Sequence, residues 1–353
     1  MFEVAKYGVE RDRCKPLIIY EAGDRIWRRA PRFLRRGFDP QYVLRESFDL
    51  HASRHVPENT NIFVGWNTVS LHSLRRAKHL GAKTVVERGS AHMLHQRDIL
   101  LEEYGRYGAT LEFAPPKVVE KALVEYAEAD YVSIPSQYVK RTFLEYGVPE
   151  DKLIHVPYGV DLTYFRPVPK QDDVFRVVHC GMVSLQKGVH YLLQAFSELK
   201  LPHAELWLIG SITDEIRPFL NRYSSTKVLY KGPFRERELY KYYSQGSVLC
   251  LASIHEGLAM VQAQAMACGL PVICTTNTGG EDIVRDGQDG FVVPIRDVEV
   301  LKEKILFFYE NRDACKAMGN SGQQRVQSGF TWGDYGDRMI AEYQRILKSG
   351  EKT

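Results

Sequence analysis

Short apolar runs separated by longer stretches with helical spacing recur along the whole chain. In the first half, residues 17–20, 62–64, 84–86 and 131–134 read as strands, with helices near 68–80, 91–107, 117–128 and 136–146. The rhythm restarts at 175–180 and continues through strands at 204–209, 227–230, 248–252 and 272–274. The run at 248–252 is apolar without interruption and reads as a buried parallel strand. Helices are predicted at 189–199, 297–310, 312–327 and about 333–347. Strand and helix in alternation predict an α/β protein built on doubly wound parallel sheets.

At 353 residues the chain exceeds one ordinary core. The polar run Lys170-Gln171-Asp172-Asp173 marks the break in the rhythm, which divides the chain into 1–168, 169–330 and a last helical segment at 331–353. A net charge of +3 gives no argument for nucleic acid as a partner. No apolar run reaches the roughly 18 residues of a membrane span, and no signal-peptide pattern opens the chain. None of the six cysteines forms a CxxC pair, so buried, reduced thiols and a cytoplasmic setting are expected, with no metal site.

Candidate chemistry gathers at predicted strand ends. After strand 248–252 comes a turn with His255, Glu256 and Gly257, then a helix closed by Cys268-Gly269. Ligands of open parallel sheets bind beyond the carboxyl ends of the strands, which aims Glu256 into the crevice. The amides of a helix start, here Leu258, Ala259 and Met260, favour an anion such as phosphate. A single acid in a first helical turn also satisfies the helix dipole with no further role. The second Gly-bearing turn, Thr278-Gly279-Gly280, tips the balance toward a diphosphate-sized ligand.

Lys187-Gly188 opens a helix past another strand end, where a plain lysine would face the unfavourable pole of the dipole. Arg88 and His92 follow strand 84–86 and are read either as crevice residues or as incidental. Between Ile26 and Arg36, six arginines counted from Arg25 line one side of a predicted helix. That face suits anionic membrane or a polyanionic acceptor, or else is a solvated helix paired with acids. No G-x-G-x-x-G follows a strand and no Walker A sequence occurs, which removes support for a dinucleotide oxidoreductase.

Glu256 followed by Gln264, then A-M-A-C-G-L-P-V, T-G-G-E-D-I-V and D-G-Q-D-G-F-V-V-P, resembles the retaining family 4 glycosyltransferases. The resemblance covers about residues 83 to 347 and implies the GT-B architecture, two Rossmann-like domains facing a central cleft, with the last helix crossing back to the first domain. It implies transfer of a sugar from a nucleotide-diphosphate donor to a glycan, lipid-linked or small-molecule acceptor, with neither metal nor cofactor, at most peripheral to the inner membrane face. Carried over residue by residue, Glu256 and Lys187 become the catalytic pair. Gln264, Gly257, Leu258, Ala259, Met260, Gly181, Gly188, Gly210 and Phe234 hold the donor, and Arg88 and His92 lie on the acceptor side.

Two positions depart from the family pattern. Gln264 stands where a second Glu is usual, and Met182 where an Arg is usual, so Arg235 or Arg88 would supply the second cation. The family's Gly-rich loop has no counterpart before Thr84, from which a start downstream of the full-length one is expected. A GT-B epimerase or hydrolase, or a catalytically silent nucleotide-sugar-binding protein, are the competing readings.

Overall fold

The computed structural model describes Cys14 and residues 41–350. The strand expected at 17–20 and the arginine-rich helix lie outside the described residues. In chain order the first elements are α1 (Gln41–Ser53), β1 (Ile62–Trp66), α2 (Leu71–His79), β2 (Lys83–Glu87), α3 (Met93–Arg106), α4 (Pro116–Glu128), β3 (Tyr131–Ile134), α5 (Gln137–Glu145) and β4 (Leu153–His155). Next come β5 (Phe175–Cys180), α6 (Val189–Leu199), β6 (Ala204–Ile209), α7 (Arg217–Arg222), β7 (Val228–Gly232), α8 (Leu239–Tyr243) and β8 (Val248–Leu251). α9 (Met260–Ala267), β9 (Val272–Thr275), α10 (Gly280–Ile283), β10 (Gly290–Val293), α11 (Val298–Glu310), α12 (Arg312–Gln327) and α13 (Trp332–Gly350) complete the chain.

The strands form two parallel sheets, one in the order β1-β2-β3-β4 and one in the order β10-β9-β8-β5-β6-β7. This is the α/β class that the apolar rhythm predicts. The change of sheet falls between β4 and β5, the stretch that holds the polar run at 170–173. By compactness the described residues fall into one unit of 41–86 with 114–130 and another of 87–113 with 131–350.

Within the first unit, α2 and α4 are in contact, and Leu74 and Ala77 of the one and Val118 and Ala122 of the other are buried. Two carboxylates tie its loops. Asp49 accepts from the amides of His72 (2.8 Å) and Ser73 (3.0 Å) at the start of α2, and pairs with buried Lys121 at 2.8 Å. Glu125 accepts from the Ser70 amide at 2.9 Å and also from Thr68, a non-glycine residue at φ 78. Burial pushes Glu125 up to about 7, against the pull of those amides.

In the second unit the six-stranded sheet is covered on both faces. Val177, Leu206 and Leu208 pack with Leu192 and Phe196 of α6 and Ile305 and Phe308 of α11. The alternate positions Val178, Leu249 and Leu251 pack with Ala263 and Met266 of α9 and Tyr243 of α8. Each buried Val, Leu, Ile, Phe or Met among these contributes about 1.5–3 kcal/mol by leaving water. In α13, Arg345 sits 5.8 Å over the ring of Tyr131, the first residue of β3. Cys180, Cys250, Cys268, Cys274 and Cys315 are buried free thiols.

Some elements escape the periodicity. β4, with only three residues, and β10, which opens on Gly290, lie outside the predicted strands. α10, after the Thr278-Gly279-Gly280 turn, is a single turn of four residues. Among the described residues no helix is long and apolar enough to cross a membrane, and no three His, Cys, Asp or Glu are grouped to hold a metal.

Candidate functional site

Strand order locates the site. Along the six-stranded sheet the chain runs outward from β5 to β7 and then restarts on the other side of β5 with β8. β5 and β8 are paired neighbours, Val177 opposite Val248 and Val178 opposite Leu249, so their carboxyl ends flank the topological switch point. Lys187 lies in the loop after β5 and Glu256 in the loop after β8. Their side chains meet, the Lys187 Nζ donating to Glu256 Oε1, and only 18% and 14% of each remains exposed. Ser253 Oγ donates to the same oxygen at 3.2 Å.

Glycines permit this approach of loops. Gly188 caps α6 at φ 62, and a Cβ there would stand 1.8 Å from the Ala252 carbonyl oxygen. Gly210, at φ 143 after β6, would place a Cβ 1.8 Å from the Gly181 oxygen. The Gly181 amide donates to Ile209 O at 2.9 Å and the Gly210 amide to Gly232 O at 3.0 Å, so three strand ends close together without side chains. Met182, beside them, is 47% exposed. Gly257 is equally confined, 1.9 Å from the Gly89 oxygen by the same construction.

The turn from 256 to 259 is held by backbone bonds to the 277–278 turn. Glu256 N donates to Asn277 O at 2.9 Å and Ala259 N to Thr278 O at 3.0 Å. The Ala259 amide, expected to face an anion, is therefore engaged inside the protein. Leu258 is buried while Met260, the first residue of α9, is half-buried. Phe234 stacks on Tyr242 with ring centroids 3.9 Å apart.

Arg88 is half-buried and His92 buried. Arg88 folds over its own loop, its Nε donating to Ala91 O at 3.0 Å and its Nη2 to Gln96 Oε1 at 2.6 Å. His92 is buried and stacked on Tyr146 at 4.4 Å. Burial, with the Arg88 charge nearby, pushes its pKa down to about 4, so it stays neutral near pH 7.

His255 is a central residue that spacing did not single out. It is buried, with Ser90 Oγ 2.9 Å from Nε2 and Tyr138 Oη 3.0 Å from Nδ1. Burial first, then the charges of Arg88, His95 and Lys187, push it down to about 3. A neutral imidazole thereby fixes the loop beside Glu256 without adding charge. Ser136 Oγ reinforces the same loop, donating to Gly257 O at 2.7 Å.

Gln264 is 4% exposed, accepting from Tyr243 Oη at 3.2 Å and donating to Glu236 Oε1 at 3.0 Å. A neutral amide suits this position because its neighbour is an acid. Gln264→Glu should set two carboxylates in contact and cost about 1 kcal/mol near pH 7. Repulsion raises the folded-state pKa of the new carboxyl, so the cost is small below about pH 4 and grows as pH rises through the raised value. Melting at pH 4.5 and 7.5 checks this, and adding Glu236→Gln should restore stability. A cost independent of pH would reject it.

Residues 161–325, the segment carrying Lys187, Glu256 and Gln264, match the family described as glycosyl transferases group 1. The chain is 27% identical over 189 residues to the capsular polysaccharide biosynthesis glycosyltransferase CapM of Staphylococcus aureus, covering 51% of this chain and 48% of that protein. It is 25% identical over 263 residues to a D-inositol 3-phosphate glycosyltransferase of Catenulispora acidiphila, with 67% and 62% covered. The chain thus spans about half to three fifths of these relatives. Among solved structures, sucrose-phosphate synthase from Thermosynechococcus elongatus aligns with a TM-score of 0.67 at 21% identity, over 85% of this chain and 77% of that one. Anabaena HepE in complex with UDP aligns with a TM-score of 0.68 at 16% identity, over 84% and 82%. These two likenesses bear on the fold alone.

Proposed function

With residues 161–325 belonging to the glycosyl transferases group 1 family, we propose that this chain transfers a sugar from a nucleotide-diphosphate donor to a glycan or lipid-linked acceptor. The observation that carries the proposal is the meeting of Lys187 and Glu256 at the β5–β8 switch point. An arriving diphosphate competes for Lys187, whose ammonium is a compact charge on a flexible stem. Glu256, released from that pair, is left to accept from sugar hydroxyls and to complement positive charge developing at the anomeric carbon. Lys187 then stabilises the departing diphosphate, an interaction strongest as the leaving group gains charge. Retention of anomeric configuration and independence of metal belong to this proposal. Relatives named as GDP-mannose-dependent mannosyltransferases support a nucleotide-sugar donor.

A panel of UDP-, GDP- and ADP-sugars in thermal unfolding tests the donor half. One member should stabilise the protein by about 2.7 kcal/mol when present at 100 times its Kd. No shift with any of them rejects the reading. Nucleotide release that needs no acceptor would instead identify a hydrolase or epimerase. Binding without turnover would identify a silent protein, the reading that exposed Met182 favours by leaving one cation absent.

A further inference from the structure

A second concave site lies at the other end of the same sheet. Ser247 directly precedes β8, Pro271 precedes β9 and Asp173 lies just before β5, so a cavity lined by these residues opens at the amino ends of three adjacent strands. Lys187 and Glu256 follow the carboxyl ends of β5 and β8. The cavity measures about 400 Å³ and is also lined by Lys170, Arg312 and Lys316. That volume suits a small metabolite.

The charge of this cavity is unbalanced. Its two carboxylates are engaged elsewhere: Asp172 is bidentate to Arg176, at 2.6 Å for each contact, and Asp173 pairs with His203 at 2.9 Å. None of Lys170, Arg312 and Lys316 forms an ion pair among the described residues. Arg312 lies over the Phe175 ring at 4.5 Å, a contact that holds the guanidinium in place without neutralising it. Lys170 Nζ donates to Val174 O at 2.7 Å and Ser247 Oγ at 2.9 Å, two of the three bonds an ammonium can donate. Burial, then repulsion from Arg176, holds Lys170 down at about 8 against the attraction of Asp172.

A second cationic cavity, of about 310 Å³ and lined by Lys200, Arg222 and Lys227, does not make the same case. Lys200 and Arg222 stand at the carboxyl ends of α6 and α7, where cations complement the helix dipole and need no ligand.

We infer that the cavity of Lys170, Arg312 and Lys316 binds a small phosphate-bearing anion, separately from the donor. A phosphate dianion offers each of the three cations an oxygen acceptor, and the remaining volume admits a compact body such as a sugar ring. A phosphomonoester and free phosphate share this chemistry, and the two probes below distinguish them.

Isothermal titration of the full chain with glucose 6-phosphate, and separately with inorganic phosphate, reads the site at fixed ionic strength. Saturable binding is expected, weakened about tenfold or more in Lys316→Glu, the weight of one charge-assisted contact. Lys316 is exposed, so this variant should fold normally. Arg312→Gln provides a second, independent loss. Lys187→Ala should leave phosphate binding as it is, and Lys316→Glu should leave nucleotide-sugar binding as it is. Tighter binding of glucose 6-phosphate than of phosphate means that the walls contact the sugar; equal binding means that the phosphate group alone is read. Three outcomes would overturn the assignment: no saturable binding of either probe, wild-type affinity in both cavity variants, or loss of binding in Lys187→Ala.

Discussion

Glu256→Gln should lower the rate of sugar transfer by about 10²–10³, the range found for removing one preorganised electrostatic contact from a transition state. The substitution keeps the length and shape of the side chain and the acceptor for Ser253 Oγ, so its main effect is removal of one negative charge. That charge has two partners in the proposed cycle: Lys187 before the donor arrives and the anomeric carbon during transfer. Losing the first frees Lys187 for the diphosphate, so free UDP or GDP should bind within a few-fold of wild type, or more tightly. Losing the second leaves positive charge uncompensated, so the defect belongs in kcat more than in donor affinity. The measurement is an initial-rate series beside a titration with free nucleotide. Near-normal turnover would remove Glu256 from the chemistry. A parallel loss of nucleotide binding would point to a disordered loop instead. The ion pair is mostly buried, so a melting curve of the variant must accompany the kinetics.

How much of this site could be read in advance depends on how local each signal is. The strands at 175–180, 204–209, 248–251 and 272–275 were legible because strands buried on both faces are mostly apolar, with Arg176, His179 and Glu205 as the exceptions. Glu256, Lys187 and the confined glycines were legible for the same reason, since each sits just past one of those runs. The direct contact of Lys187 with Glu256 was not, because it depends on β8 returning to pair with β5 rather than extending the sheet beyond β7. His255 illustrates the limit more sharply. Its partners Ser90 and Tyr138 are 165 and 117 residues away, and no spacing rule connects them. Gln264 was visible as a departure from a family pattern, whereas its neighbour Glu236, on a separate loop, was not. Helix starts suggest unpaired donors, yet the chain's own Thr278 carbonyl takes the Ala259 amide.

Gly188→Ala should be among the most damaging single substitutions in the chain, and a second glycine shows why. Gly108 has nearly the same backbone, φ +63 against φ +62, but a Cβ at 108 would meet nothing within 4 Å. Gly108→Ala therefore isolates the cost of holding an L-residue in the left-handed region, about 1–2 kcal/mol. At Gly188 the same cost is joined by a Cβ 1.8 Å from the Ala252 oxygen, which has to move. That atom belongs to the backbone at the end of β8, four residues before Glu256, so no rotamer change relieves the clash. Overpacking of this kind adds about 1–3 kcal/mol. Against a total stability of about 5–15 kcal/mol, the sum is a large share. The displacement also acts on the site. Moving the Lys187–Gly188 loop away from β8 separates Lys187 from Glu256, so transfer should fall well below wild type even at temperatures where the variant remains folded. Melting and transfer assays on both variants decide the matter. Equal melting of Gly108→Ala and Gly188→Ala would show that the loop yields without cost. A Gly188→Ala protein that is destabilised yet fully active would show that the close approach of the β5 and β8 loops serves folding alone.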